Sequence, residues 1–235
     1  RSLEDALVPV LCEVKGQVFT QVAISHDRVM AFAPARVTGV SPNCGPTTGG
    51  TVISISGEGL NGGENPTIKV RFTFDLSDGM VESRTGRGSI DPVTGCVICR
   101  TPPVDLAMSC GLDVSFDNGV TFTSSGIPYD YYVEPSLTGC SPSIIPADTA
   151  GQKMAITCDG GFPYPSSSLV KVLFTSKAAE EEEVTVEAMS TEDGILICEI
   201  PPLSVADRTV VVTLNGQQYG DDGGGGGGLK KRGRG

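Results

Sequence analysis

A block of sequence that begins near Gly39 is written again about a hundred positions later. Gly39-Val40-Ser41-Pro42 returns as Gly139-Cys140-Ser141-Pro142, TVISISGEGL at 51–60 aligns one for one with KMAITCDGGF at 153–162, and CVICRTPPV at 96–104 aligns with ILICEIPPL at 195–203. The blocks recur in one order, with offsets that drift only from 100 to 102 to 99. The unit is therefore about a hundred residues long, the size of a two-sheet sandwich. Thr38-Gly39 before the first Ser-Pro is echoed by Thr138-Gly139 before the second, and apolar segments lie upstream of Thr38. Residues 1–35 are thus expected to be the last strands of a preceding copy, and the chain a slice of an array.

Strand periodicity runs through the repeat. Ile68, Val70, Phe72 and Phe74 alternate with Lys69, Arg71, Thr73 and Asp75, which places four apolar side chains on one face and four polar ones on the other. Leu112, Val114 and Phe116 do the same, and Asp117-Asn118-Gly119 is expected to close a hairpin toward Val120 and Phe122. In the next copy the expected strands are 154–158, 170–174, 184–189, 195–200 and 210–214. Pro102-Pro103 and Pro201-Pro202 each end a strand, because proline removes a ladder donor. No amphipathic helix is evident. With 31 glycines and 16 prolines in 235 residues, turn formers are abundant but too few for a disordered chain.

Taken together, the Ser-Pro, Gly49-Gly50-Thr51, Gly57-Glu58-Gly59-Leu60, the Cys99 to Pro103 strand end and the closing Tyr129-Asp130-Tyr131-Tyr132 resemble the IPT/TIG repeat. This is the immunoglobulin-like unit shared by plexins, Rel-type transcription factors and many tandem-repeat proteins, and it is filamin-like in shape. The resemblance spans nearly all of residues 36–215. It implies an all-β chain of tandem immunoglobulin-like sandwiches, one complete at 36–134 and a second at 135–220, followed by a glycine-rich linker with a basic tip at 221–235. The second copy departs from the pattern at Ile144-Ile145-Pro146-Ala147-Asp148, where the glycine pair is lost, and at its end, where no aromatic strand follows Tyr219.

Chemical motifs read as structure. Gly57-x-Gly59-x-x-Gly62 follows a strand but precedes Gly63-Glu64-Asn65-Pro66, which cannot start the helix that a dinucleotide site requires. Cys96-x-x-Cys99 lies in a strand, without a second pair or a histidine cluster to complete a tetrahedral metal site. The repeat replaces Cys96 by Ile195 and keeps Cys198 in the place of Cys99, as a buried apolar position would. Core-facing positions are therefore expected among Val97, Cys99, Ile197 and Cys198. His26 is the single histidine, and Ser25 and Asp27 beside it make no triad by adjacency. No catalytic, cofactor or metal residue is assigned.

Charge weighs against one branch of the resemblance. Four of the 17 basic residues are Lys230, Lys231, Arg232 and Arg234, which leaves 13 against 28 acidic ones, a balance of −15, over residues 1–228. Such a body is a poor phosphate-binding surface, so specific DNA binding is not expected. The basic tip after Gly223–Gly228 reads as a linker end or as a contact for an acidic partner. No apolar run approaches the roughly 20 residues that span a bilayer. The chain opens on Arg1 without a signal-like segment, which leaves secretion undecided.

The cysteines do not sit at shared repeat positions except Cys99 and Cys198, and there is no Asn-x-Ser/Thr acceptor, which favours a reducing compartment. The expectation is a non-enzymatic scaffold of the cytoskeletal, axonemal kind that spaces other proteins of a larger assembly. The alternatives are a plexin-like extracellular adhesion or receptor ectodomain, and accessory repeats of a larger enzyme. The short connection from Val133 to Thr138 is expected to hold the two copies end to end. With no closing strand of its own, the second copy would take one at the edge marked by Val210, Val212 and Leu214, either from later sequence or from a strand-donating partner.

Overall fold

The computed structural model describes residues 10–14, 17–21, 35–60, 66–147, 150–162, 169–176, 183–190 and 194–220. Sixteen strands and no helix are found among them, so the chain is all-β. Contacts divide it into two compact units, Arg1–Pro34 and Ala35–Gly235. In the first unit β1 (Val10–Val14) and β2 (Gln17–Gln21) form an antiparallel hairpin, with Val10 opposite Gln21 and Val14 opposite Gln17. Of the expected segment 1–35, Ala35 belongs to the second unit, and the other residues outside the hairpin, His26 included, lie outside the described residues.

The second unit opens with a complete sandwich. Its strands are β3 (Arg36–Ser41), β4 (Cys44–Pro46), β5 (Val52–Glu58), β6 (Lys69–Asp75), β7 (Val81–Ile90), β8 (Val97–Arg100), β9 (Ser109–Ser115) and β10 (Ile127–Tyr132). One layer is β3-β5-β8 and the other is β6-β9-β10-β4. The alternation in β6 does what its pattern requires, since Ile68, Val70, Phe72 and Phe74 are all buried. They meet Ile53, Ile55 and Val97 of the opposite layer and Leu112, Val114, Tyr129 and Tyr131 of their own. Phe72 and Tyr129 meet edge to face at 6.1 Å, Tyr129 and Tyr131 at 5.1 Å. Burying such rings stabilises a fold by far more than the aromatic geometry alone, which adds about 0.5–1.5 kcal/mol per pair.

β7 was not expected, because VESRTGRGSI carries no apolar alternation. It belongs to both layers: Val81 to Arg87 pairs with β6, and Gly88 to Ile90 pairs with β8. Glycine is required at the crossing. A Cβ on Gly86 would stand 2.7 Å from Cys99 Sγ, and one on Gly88 2.6 Å from Ile68 Cγ2.

The expected hairpin around Asp117-Asn118-Gly119 is not formed. Val120 and Phe122 lie outside any strand, and Val120 is exposed. The Asp117 carboxylate accepts from the Val120 and Thr121 amides and from the Ser115 and Thr121 hydroxyls, which holds it well below the usual carboxylate range. This side-chain cap competes with ladder pairing and diverts the chain into a loop. Phe122 is then covered by the Arg71 guanidinium, 4.2 Å from its centroid.

The second sandwich repeats the order with β11 (Leu137–Ser141), β12 (Lys153–Cys158), β13 (Lys171–Ser176), β14 (Val184–Ser190), β15 (Leu196–Glu199) and β16 (Arg208–Thr213). β14 again serves both layers, pairing with β13 through Val184 to Glu187 and with β15 through Ala188 to Ser190. Ser41-Pro42 and Ser141-Pro142, the same step in each copy, are both cis. One alignment block must be corrected by a single residue. Ile53 faces Cys99 and Met154 faces Cys198, so Ile53 and Ile55 correspond to Met154 and Ile156, at an offset of 101 through the strand. All four are buried, whereas Ala155, the partner of Ile53 in the one-for-one alignment, is not. A one-residue slip in a strand exchanges its faces, so only this register builds a core. The extra residue is absorbed where Gly59 is replaced by Gly160-Gly161, all three at positive φ, before Leu60 and Phe162 are buried alike.

Candidate functional site

The expected core positions divide by strand parity. Val97, Cys99 and Cys198 are 0%, 2% and 3% exposed. Ile197 is not a core residue: adjacent strand positions point to opposite faces, so with Cys198 inward Ile197 turns outward and Leu196 takes the place of Val97. Cys44, Cys96, Cys99, Cys110, Cys140, Cys158 and Cys198 are thiols rather than disulfides. Burial pushes the Cys99 thiol up to about 12 and that of Cys198 up to about 11. A bulky maleimide is therefore expected to label half-buried Cys96 well before Cys99 or Cys198 in the native chain, by peptide mapping of a time course. Because the Cys99 thiol lies near 9.0 when unburied and about 12 in the fold, the folded state retains its proton longer. Its contribution is complete below about pH 9 and is lost as the pH climbs toward 12. Equal labelling rates for Cys96 and Cys99 would contradict this assignment.

The second sandwich differs from the first along one margin. In the first, β10 fills the space between β9 and the short parallel strand β4. In the second, β16 ends the order β11-β12-β15-β14-β13-β16, and among the described residues no strand flanks its outer side. Residues 144–146, at the place of β4, form no strand, and Ile144 is 88% exposed. The two absences go together, since a counterpart of β4 has nothing to pair with where, among the described residues, no counterpart of β10 is found. Of the residues expected on this margin, Val212 and Leu214 are buried and Val210 is half-buried. The tail does approach β16 once: the Gly220 amide donates to Val212 O at 3.0 Å, as the Thr123 amide donates to Val114 O at 2.9 Å.

A second arrangement was not foreseen. The turn after β16 reaches back to the first sandwich and holds it. Gln217 binds the main chain of Val52 twice, accepting from its amide at 2.9 Å and donating to its carbonyl at 2.7 Å. Asn215, 1% exposed, donates to Cys44 O, Thr51 Oγ1 and Gln218 Oε1 and accepts from the Gln217 and Gln218 amides and the Thr213 hydroxyl. The Thr51 hydroxyl in turn reaches Gln218 Oε1. Cys44 and Tyr132 of the first sandwich pack in the core of the second. The connection is shorter than expected, since β11 begins at Leu137 and only Val133 to Ser136 lie between the last strand of one sandwich and the first of the next. Asn215-Gly216, a turn signature followed by two amide side chains, was the available clue.

The proposed basic contact at Lys230, Lys231, Arg232 and Arg234 lies outside the described residues. No helix among the described residues is long and apolar enough to cross a membrane.

Human Plexin-A3 is 28% identical over 158 residues, 63% of this chain but 8% of that protein, and rat Plexin-A3 is 27% identical over 157 residues. The chain thus spans under a tenth of these relatives. A solved structure of the full extracellular region of Plexin A4 aligns with 74% of this chain and 13% of its own, at 17% identity and a TM-score of 0.46. The IPT/TIG family model matches residues 35–131, from the chain's entry into β3 to the penultimate residue of β10. The first complete sandwich of this chain is thus similar to the IPT/TIG domain over nearly its whole length.

Proposed function

We propose that this chain is a non-enzymatic stretch of a plexin-like cell-surface protein, in which linked immunoglobulin-like sandwiches space and present protein-binding surfaces outside the cell. The observation that carries the reading is the relatedness to Plexin-A3 over 158 residues, too long for one sandwich alone. The relatives favour this over the axonemal scaffold, for which they offer no support. The thiols do not oppose it. Cys44, Cys99, Cys110 and Cys198 are buried, so they need no reducing compartment to persist. The acidic body suits a surface protein that must avoid nucleic acid and stay soluble.

The test is topological. Intact cells that express the native gene are treated with a membrane-impermeant biotinylation reagent, and the protein is recovered with an antibody to residues 36–220. Labelling on intact cells is the expected result. Labelling that appears only after permeabilisation would overturn the reading.

A further inference from the structure

We propose that the second sandwich is an acceptor for an extended segment of a partner protein, which pairs antiparallel with the outer edge of β16 and presents bulky apolar side chains at alternate positions. The first sandwich shows what such a segment must be. Its own occupant of this position is IPYDYY of β10, which turns Tyr129 and Tyr131 into the core beside Phe72 and sits antiparallel to β9.

Register identifies what the second sandwich lacks. Phe72 faces Leu112 and Phe174 faces Val210, so Val210 stands in the place of Leu112. Leu112 is fully buried, whereas Val210 is only half-buried. Ser176 stands where Phe74 packs against Tyr131, so the wall of the slot is also lower. Gly220 corresponds to Thr123 by their matching bonds to Val212 and Val114. Counting on from there, the positions in register with Ile127–Tyr132 are 224–229, five glycines and Leu229. Those glycines offer no side chain for the slot and disfavour a strand. The chain therefore reaches the correct entry point with a sequence that cannot supply the missing rings.

The edge itself is suited to pairing. The N–H and C=O of a strand residue point the same way and alternate between neighbours along the strand. Val212 O receives the Gly220 amide on the outer side, so the main-chain groups of Val210 face outward too. Strand addition supplies affinity through such groups and specificity through alternate side-chain pockets.

The probe is a synthetic peptide with the sequence of residues 126–135, GIPYDYYVEP, added to the full 235-residue chain. Binding is followed by fluorescence anisotropy and located by hydrogen exchange. The expected result is saturable binding that slows exchange of the β16 amides while leaving β9 unchanged. A peptide with serine at the positions of Tyr129 and Tyr131 should bind about tenfold more weakly or worse, the equivalent of about 1.4 kcal/mol. Val210→Pro, which removes an outward amide at an edge that tolerates proline, should weaken binding by a similar factor. Three results would overturn the proposal: no binding, β16 amides already protected in the free chain, or equal affinity for the serine peptide. The last comparison uses the unaltered chain and remains decisive if Val210→Pro does not fold.

Discussion

Cys99→Asp is expected to unfold the first sandwich at temperatures where the second still folds. Cys99 is 2% exposed in β8, its sulfur 3.3 Å from the Arg100 carbonyl and against the crossing strand at Gly86. Aspartate is close to cysteine in size, so the change tests charge rather than volume. The site already disfavours an anion, because burial alone pushes the thiol up to about 12. A carboxylate placed there must stay protonated or ionise without a partner, and either costs about 3–5 kcal/mol against a domain stability of about 5–15 kcal/mol. Cys99→Val, nearly matched in volume and apolar, should cost about 1.5 kcal/mol or less. Denaturant titration, with hydrogen exchange read separately over β8 and β15, measures both. An aspartate variant within about 1 kcal/mol of the parent would show that the position is not a sealed core site.

The second large effect concerns the junction. Asn215→Leu keeps the volume but deletes every polar partnership of a buried amide: three donated bonds, to Cys44, Thr51 and Gln218, and three accepted ones. The Gln217 and Gln218 amides would then lose the acceptor that shapes their turn, and Gln217 would no longer be held against Val52. Leaving such groups unmatched costs about 1–3 kcal/mol each when buried, so the coupling between the sandwiches should fall by at least about 2 kcal/mol. Calorimetry on the parent should give one transition and on the variant two. Small-angle scattering on residues 36–220 should show a narrow distribution of separations that broadens in the variant. An unchanged single transition would mean that the shared packing of Cys44 and Tyr132 suffices without the polar turn.

Much of the fold could be read from spacing, for physical reasons that also explain the failures. Alternation in β6 and β9 was visible because one face is buried and the other wet. β7 was invisible because a strand that passes from one layer to the other has no constant inner face, and Gly86 and Gly88 are there for clearance rather than for burial. Similarity of letters aligned Ile53 with Ala155, and only the opposing Cys99 and Cys198 reveal that Met154 is its counterpart. The Asp117 loop was misread and the Asn215 turn went unforeseen for one reason. In each, a short side chain binds nearby main chain and overrides the pattern of the residues that follow. Composition was the signal for the expected lack of a closing strand in the second copy, since glycine after Tyr219 cannot do what tyrosine does at 129 and 131. The partnership between the sandwiches was not, because amide side chains that bind another domain's backbone look, in sequence, like solvated ones.

The position of Gly220 carries a topological consequence. In the first sandwich the chain enters at β3 and, because β10 traverses the full height of the sheet, leaves beside the second sandwich. In the second sandwich that last traverse is absent from the described strands, and Gly220 stands against Pro135, where a Cβ would lie 3.7 Å from the Pro135 carbonyl oxygen. Entrance and exit thus share one end. A pull applied through Ala35 and Gly220 would bear on the first sandwich and the junction but bypass the body of the second, which hangs as a pendant beside the line of force. Loaded between Ala35 and Gly220, the second sandwich is placed to be gripped without being stretched.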